Sequence, residues 1–459
     1  MSWKRSVCVF VCVCVLTAGC SCSWEQGDPS GSVSIGQAHS PNDPGSSIAN
    51  LEENYALITW TPESLAEEYG YQRQLSGFNH LQGDTLRKCY RLLLDAVYRV
   101  SNEQSVDGHY RVKKVVMEGV ALSKNQVMQV VIALRNDNPQ LFWVLNDLRY
   151  GVSDGSTVIQ LCSYFSGTQV QKASEKMDTA LKAVLKKAPK GSSEFERELY
   201  LHDQLISLVE YHDEAEDHSS EYPMAFSAYG ALVDGKAVCE GYSRAMQLLS
   251  NCLGLQCALV TGVSQEIAHM WNLIRIEGEW YHLDLTWDDA ASMSIYQYFN
   301  LTDEQISVNH TMDPLIPADG DSQWDRSLYN LYLPECTSLE YNYYHQKAVQ
   351  IHTLGNEDDQ EAMDAVLNAA ARRERTISFQ FSPDLDFDIA VARLLTEEPY
   401  KYAYYVHCAN AYFGEEKAPL QEGEARYVLD KNQRAVTIEL LYRCLLYTSD
   451  AADDRISVD

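Results

Sequence analysis

The chain has few basic residues for its length. Its 459 residues include 36 Lys and Arg against 65 Asp and Glu, which gives a formal net charge of -29. This charge disfavours a basic face for nucleic acid and repels anionic lipid headgroups. We therefore predict no nucleic-acid partner and no membrane attachment except through a dedicated anchor. The composition, 46% hydrophobic and 22% charged, is ordinary for folded protein, and the length predicts two or three domains.

Metal-binding and disulfide patterns are also missing from the sequence. None of the 13 cysteines forms a Cys-x-x-Cys pair, and no His-Glu-x-x-His run occurs. Five cysteines lie in the first 22 residues, and the other eight are widely spread. A disulfide framework or a zinc site would need closer and more regular spacing. We predict no cofactor and no metal, and we expect most of the spread thiols to be small buried residues.

The first twenty residues combine a short positive start with an apolar run. Residues 7–18 are apolar but too few to span a bilayer, and small residues then lead into Cys20. This pattern resembles a bacterial lipoprotein signal, which implies cleavage before Cys20 and a lipid on that cysteine. Thr17 departs from the pattern, because Leu16 stands one place early. The alternative is an ordinary secretory signal that is cleaved nearby.

The stretch after the predicted signal peptide (1–19) is poor in large apolar residues. Residues 20–50 are rich in Ser, Gly and Pro, a composition typical of a flexible tether. We therefore predict an extracytoplasmic protein that is lipid-anchored to the bacterial cell membrane.

Two blocks flank the part of the chain that carries chemistry. Residues 51–191 alternate helical and strand periods and predict an N-terminal α/β region, in which the apolar run 141–144 indicates a buried strand. Residues 341–444 predict a small C-terminal α/β module. Neither block has a catalytic motif. Residues 445–459 resemble translated adapter sequence and are predicted to be a non-native tail, with a disordered acidic tail as the alternative.

The block 192–340 opens with a predicted helix on which His202 lies in an apolar stripe. A histidine on an apolar helix face is more often a structural residue than a reactive one, so we interpret His202 as structural. Cys239 follows, directly before a second helical period. One apolar face of that helix ends before Gly254 and consists of Tyr242, Ala245, Met246, Leu249 and Leu253. A cysteine at a helix start is exposed to unpaired N–H groups and the positive dipole end, which stabilise a thiolate.

A β-hairpin is predicted downstream. Two runs rich in aromatic and β-branched residues surround a Gly-containing turn at residues 277–278. Pairing across a two-residue turn sets Trp271 opposite Asp284. His269 is then a diagonal neighbour of Asp284 on the same face, at about 7–8 Å between backbones. The hairpin thus offers a His–carboxylate pair to the thiol, and these are the parts of a thiol triad.

Three runs in this block resemble the transglutaminase-like superfamily, which has a papain-like fold. They are Cys-Glu-Gly-Tyr-Ser at 239–243, His-x-Trp-Asn at 269–272, and Trp-Tyr-His-Leu-Asp-x-Thr-Trp-Asp-Asp at 280–289. The run 298–303 is similar to bacterial members. Thr302, near its end, fits a helix capping box with Gln305. The resemblance implies an α+β fold in which a helix carrying the nucleophile packs on an antiparallel sheet. This core at 192–340 is flanked by the N- and C-terminal α/β blocks.

The resemblance also implies a role for each matching residue. Cys239 is the nucleophile, His269 the general base and acid, and Asp284 its orienting partner. The remaining polar and aromatic residues of the hairpin are interpreted as hairpin packing or cleft lining, namely Trp271, His282, Asp288 and Asp289.

The superfamily includes several reaction outcomes, so the function is predicted less narrowly than the fold. We expect a surface-anchored thiol enzyme that acts on amide bonds of a peptide or protein substrate, with hydrolysis favoured. A cell-wall peptide is one candidate substrate. The alternatives are a transglutaminase-like cross-linking transferase and a non-catalytic binding lipoprotein on the same fold.

Overall fold

The computed structural model describes residues 55–290, 293–316, 330–414, 419–423 and 425–443. The predicted signal peptide, Cys20, the tether and the predicted tail lie outside the described residues. Within the described ranges, no helix has both the length and the apolar character needed to cross a membrane.

The described chain falls into two compact units. The larger one holds the residues up to Ser294 together with Tyr298–Tyr341, and the smaller one holds Ile295–Gln297 and the residues from Asn342 onward. The predicted domain boundaries inside and between these units stay predictions. Both units mix helix and sheet, as the sequence predicted.

The first part of the larger unit is an antiparallel sheet with helices. Its strands occur in the order β1-β2-β3-β6-β4, and β5 also pairs with β6. The elements are β1 (Tyr55–Leu57), α1 (Pro62–Tyr69), α2 (Ser76–His80), α3 (Gly83–Ala96), β2 (Arg99–Gln104), β3 (Tyr110–Val112), β4 (Val115–Met117), α4 (Lys124–Asp137), β5 (Val144–Ser153), β6 (Ser156–Ser163) and α5 (Gly167–Leu185).

The predicted strand at 141–144 is wrong for most of its length. β5 begins at Val144, and the residues before it form a buried turn closed by a bond from the backbone N of Val144 to the carbonyl of Leu141. Trp143 is fully buried there, and its Nε1 donates to the carbonyl of Val97 at 3.2 Å. An apolar run therefore indicates burial here but not an extended backbone.

The second part of the larger unit contains a five-stranded antiparallel sheet in the order β14-β11-β10-β9-β15. The elements are α6 (Glu194–Leu208), β7 (Glu210–Tyr211), α7 (Asp213–Asp217), β8 (Lys236–Ala237), α8 (Cys239–Cys252), β9 (Gln256–Ser264), β10 (Ile267–Ile276), β11 (Glu279–Leu283), α9 (Leu285–Asp288), β12 (Asp289–Ala290), β13 (Met293–Ser294), β14 (Phe299–Leu301), α10 (Asp303–Ile306) and β15 (His310–Met312). A 3-10 turn at Pro223–Phe226 and a π turn at Gly230–Asp234 precede β8.

Helix α8 is buried on both sides. On one side the Oγ of Ser243 donates to the carbonyl of Met270 in β10 at 3.1 Å. On the other, Gln247 donates to the carbonyl of Asn136 at 2.9 Å, so α4 of the first part covers the helix. The burial fixes the axis of α8, and hence the position of its first residue.

The smaller unit has a four-stranded sheet in the order β16-β17-β19-β18, in which β16 and β17 are parallel. Aromatic and aliphatic side chains, including Phe379 and Tyr405, form its own core. The elements are α11 (Tyr343–Lys347), β16 (Val349–Ile351), α12 (Asp359–Arg372), β17 (Thr376–Phe381), α13 (Phe387–Leu395), α14 (Lys401–Phe413), β18 (Arg426–Asp430) and β19 (Ala435–Glu439).

Candidate active site

Cys239 is the first residue of α8, as the sequence pattern predicted. The preceding residue, Val238, has an extended backbone and provides no side-chain cap, so the helix begins with unpaired N–H groups. The thiol is partly exposed, whereas residues 241–252 of the helix are all buried. A partly exposed sulfur at a helix start can meet a substrate and receives the dipole's stabilisation of negative charge.

The hairpin that carries the other two predicted residues has the predicted register. Ile276 pairs with Glu279 across the turn, and both Glu277 and Gly278 have positive φ, as a type I′ turn requires. Asp284 follows directly after β11, where it caps α9. Its Oδ1 accepts the backbone N–H groups of residues 286 and 287 at 3.0 and 3.3 Å. The carboxylate is thereby held in one orientation.

His269 bridges the thiol and the carboxylate. Its Nε2 donates to the Oδ2 of Asp284 at 2.6 Å, and the side chain of Cys239 lies close enough to the ring to raise its pKa. Burial alone would lower the pKa of His269, but the Asp284 carboxylate outweighs it and raises this pKa to about 10. The same contact, together with a bond from His310, holds the pKa of Asp284 well below its usual range against the opposing effect of burial. The three predicted residues thus lie near one another: His269 is hydrogen-bonded to Asp284, and Cys239 is close enough to act on the charge of His269.

His310 is a fourth member of this cluster that the sequence analysis missed. It lies in β15, and its Nε2 is 3.0 Å from the Oδ2 of Asp284, the same oxygen that His269 contacts. Its side chain is fully buried. In the sequence, His310 is only a polar residue within a short strand. Such residues are too common to identify a site.

The other hairpin residues form structural contacts. Trp271 donates from Nε1 to the Nδ1 of His282 at 2.9 Å, and the Nε2 of His282 donates to Asp303 at 2.8 Å. Asp289 accepts from the hydroxyl of Tyr242 at 2.6 Å. Each polar group is paired within the fold, as the packing interpretation predicted.

His202 is also structural, as interpreted from its apolar stripe. It is fully buried, and its Nε2 lies 3.2 Å from the Oδ2 of Asp288. Burial alone would lower the pKa of His202, but bonds to Asp203 and Asp288 raise it to about 9. Asp288 also accepts the backbone N–H of Tyr298 at 2.9 Å. This pair therefore secures the end of α9, the short helix that Asp284 caps.

Two groups of side chains in the described ranges have potential metal-ligand atoms within 4.8 Å of one another: His269, Asp284 and His310, and His282, Asp303 and Cys336. The first does not fit an ion. Metal bonds of about 2.0–2.2 Å in a tetrahedron hold ligand atoms roughly 3.3 Å apart, whereas His269 and Asp284 are in direct hydrogen-bond contact at 2.6 Å. In the second, the Nδ1 of His282 accepts the Trp271 N–H, so the ring proton of His282 is on Nε2. A metal would need the lone pair of Nε2, which this proton occupies.

Helix α4 reaches the start of α8, beside Cys239. Arg135 lies 3.4 Å from the Oε1 of Glu240, the residue after Cys239, and Arg244 donates to the same oxygen at 2.8 Å. Burial and the neighbouring Arg244 lower the pKa of Arg135 to about 10. No local pattern in the sequence indicates this contact between the N-terminal region and α8.

Gly241 allows a close approach of neighbouring backbone two residues after Cys239. A Cβ added there would lie 2.4 Å from the carbonyl oxygen of Ala225 and 2.7 Å from the Cβ of Ala237. We expect Gly241→Ala to lower the free energy of unfolding by about 1–3 kcal/mol through overpacking, and to shift Cys239. Thermal unfolding measures this loss. Gly151→Ala is the matched control, because nothing lies within 4 Å of its added Cβ. Equal stability of the two variants would contradict the close packing.

Comparisons with known proteins identify the domain. Residues 182–285 match the family model of the transglutaminase-like superfamily, and this range contains Cys239, His269 and Asp284. The chain therefore carries a transglutaminase-like domain, as the sequence resemblance predicted.

Two curated relatives are similar over part of this chain. The kyphoscoliosis peptidase of Mus musculus is 26% identical over 148 residues, which are 27% of this chain and 22% of that protein. The kyphoscoliosis peptidase of Homo sapiens is 29% identical over 87 residues, which are 16% of this chain and 13% of that protein. The match thus spans about a fifth or less of either relative's length.

Two solved structures are also similar. One is the crystal structure of a TGase, with a TM-score of 0.25 and 13% identity, over 47% of this chain and 59% of that one. The other is a candidate cysteine protease from Cytophaga hutchinsonii, with a TM-score of 0.21 and 11% identity, over 41% of this chain and 70% of that one.

Proposed function

We propose that this chain is a thiol enzyme that acts on amide bonds of peptides or proteins through an acyl-enzyme on Cys239. The observation that carries the proposal is the position of Cys239 at a helix start near His269, whose Nε2 is hydrogen-bonded to Asp284. A thiol, a base and a carboxylate that orients the base are the groups that thiol acyl transfer requires.

The chemistry follows from these positions. The Cys239 thiolate attacks the amide carbon, and the carbonyl becomes an oxyanion. The backbone N–H of Cys239 has no acceptor within its helix and is a suitable donor to that oxyanion. Collapse of the intermediate breaks the C–N bond while the His269 imidazolium gives its proton to the leaving amine. A thioester on Cys239 remains, and His269 is then free to act as a base.

Hydrolysis is the favoured outcome of the second step. Water needs only access to the thioester and His269 to take its proton, after which the acid is released and the thiol is restored. A cross-linking enzyme must instead favour an amine over abundant water, which requires an acceptor site shielded from solvent. The sequence motifs give no support for such a site.

The partition between water and amine tests this proposal. The enzyme is incubated with a peptide or glutamine amide and a labelled primary amine, and acid release and amine incorporation are measured together. We expect acid release to dominate and to depend on Cys239. Dominant amine incorporation that depends on Cys239 would favour the cross-linking transferase, and neither product, over a range of amides, would favour the binding lipoprotein.

We also propose that the enzyme is anchored to the membrane surface by a lipid on Cys20, on the basis of the sequence pattern alone. The mature chain should enter the detergent-rich phase in detergent phase partitioning. Cys20→Ala should move it to the aqueous phase or block its processing. A parent chain found in the aqueous phase would leave only an ordinary secretory signal.

A further inference from the structure

Asp284 is shared by two imidazoles. The Nε2 of His269 lies 2.6 Å from its Oδ2, and the Nε2 of His310 lies 3.0 Å from the same atom. Asp284 is only 1% exposed and His310 only 3%, so water does not compete for these bonds. A carboxylate that orients one base needs only one imidazole. The second one calls for a separate explanation.

The protonation of His310 follows from its two neighbours. Its Nε2 faces a carboxylate oxygen, which accepts, so Nε2 carries a proton. Its Nδ1 lies 2.6 Å from the side-chain amide of Asn309, whose other end is 2.6 Å from the hydroxyl of Tyr298. The amide can take either orientation in this chain of bonds, so His310 is an imidazolium or a neutral Nε2–H tautomer. In both forms it donates to Asp284.

The ring of His310 is fixed in place by its surroundings. Aromatic rings pack against it on several sides, at centroid distances of 5.1 Å for Trp271, 5.6 Å for Trp287 and 5.6 Å for Tyr298. Strand β15 adds to the edge of the sheet by pairing with β9, and His310 pairs there with Ser264. The donor therefore cannot turn away from the carboxylate without disturbing this packing.

We propose that His310 is a positioning residue that weakens the hold of Asp284 on the proton of His269. The inference rests on the proposed thiol chemistry. A carboxylate that accepts a second N–H has less negative charge to offer His269, so the His269 imidazolium releases its proton more readily. This matters because the imidazolium must give its proton to the leaving amine and the neutral ring must then activate water.

Among the residues that the structure describes, three titratable groups face His269 from the elements packed around it. They are Asp284 at the start of α9, Cys239 at the start of α8, and His310 in β15, whose ring centroid is 5.5 Å away. Asp288 influences Asp284 from the end of α9, and His282 lies near enough to His310 for the two to interact. Loss of the His310 donor raises the proton affinity of His269 whether His310 is charged or neutral, because either form withdraws charge from Asp284.

A matched pair of variants tests this role. His310→Gln retains an amide N–H near the position of Nε2, whereas His310→Asn is one methylene shorter and cannot reach Asp284. The rate of alkylation of Cys239 by iodoacetamide is measured against pH in the full chain, with the modified peptide quantified by mass spectrometry. No substrate is needed. In the parent we expect the alkylation rate to rise in two steps as the pH increases. The step at higher pH reports loss of the His269 imidazolium proton.

We expect the upper step of His310→Asn to lie about one pH unit above that of the parent, a tenfold change in proton affinity. The upper step of His310→Gln should lie at a pH closer to that of the parent. Equal upper steps in the parent and in a folded His310→Asn would overturn the role of His310 alone. A single, ordinary thiol step in the parent would overturn the proposed function and this role with it.

A second measurement applies if His310→Asn does not fold. Nitrogen-15 NMR of the imidazole rings in the parent chain reports which nitrogen carries a proton. We expect a proton on the Nε2 of His310 at neutral pH, because this atom faces the Oδ2 of Asp284. An unprotonated Nε2 would overturn the proposal, because His310 could not then donate to Asp284.

Discussion

Cys239→Ala is expected to abolish acyl transfer while the fold stays intact. The substitution removes the proposed nucleophile, and turnover should fall by at least about 10⁴-fold, since the remaining groups cannot form a thioester. The sulfur is partly exposed and is not a core residue, so the free energy of unfolding should change by only about 0.5 kcal/mol. Turnover of a peptide amide and thermal unfolding together measure both expectations.

Cys408→Ala is the matched control for that variant. Cys408 is another free, partly exposed cysteine, and it lies on α14 of the smaller unit. It should retain the activity of the parent chain. Turnover by Cys239→Ala equal to that of Cys408→Ala would contradict the proposed mechanism.

Asp284→Asn is expected to lower turnover by about 10²–10⁴-fold. Each oxygen of Asp284 accepts two N–H groups: two backbone amides at Oδ1, and His269 and His310 at Oδ2. An asparagine amino group has to replace one of these oxygens, and in either orientation it faces two donors. His269 is then held in the wrong tautomer or in a different orientation. Turnover of a peptide amide measures the loss of activity.

The control for this variant is Asp303→Asn. Asp303 also accepts from a histidine of the same sheet, with its Oδ1 2.8 Å from the Nε2 of His282, but it makes no contact with Cys239 or His269 in the described hydrogen bonds. Its turnover should stay within a few-fold of the parent. Equal losses in both variants would mean that any broken His–carboxylate pair in this sheet disables the enzyme, and would contradict a special role for Asp284.

The parts of the site that the sequence predicted are those set by local pattern. Cys239 could be located because helical spacing begins directly after it, and the hairpin register followed from a two-residue turn at 277–278. Asp284 was placed correctly relative to His269 for the same reason. These relations depend on short stretches of backbone whose geometry is limited by sterics.

His310 was missed because its position depends on pairing between distant parts of the chain. It reaches Asp284 only since β15 adds to the sheet beside β9, so that Thr311 pairs with Val263. No local spacing encodes that pairing. The contact of Arg135 with Glu240 was missed for the same reason, as it joins residues 105 apart.

The prediction of a strand at 141–144 was wrong for a different reason. Both a buried strand and a buried turn require apolar residues, so composition alone cannot separate them. Here the indole of Trp143 bonds to the carbonyl of Val97, and residues 141–144 close a turn before β5 begins. His202 gave the opposite result: its apolar surroundings correctly indicated a structural residue.

Trapping of the acyl-enzyme shows whether Cys239 forms a covalent bond with the substrate. The parent chain is mixed with an activated peptide ester or amide, quenched in acid within the first turnover, and digested for mass spectrometry. We expect an added acyl mass on the peptide that contains Cys239, which hydroxylamine removes, and no such mass in Cys239→Ala. Product formation by the parent without an acyl group on Cys239, or with the acyl group on another residue, would contradict the proposed mechanism.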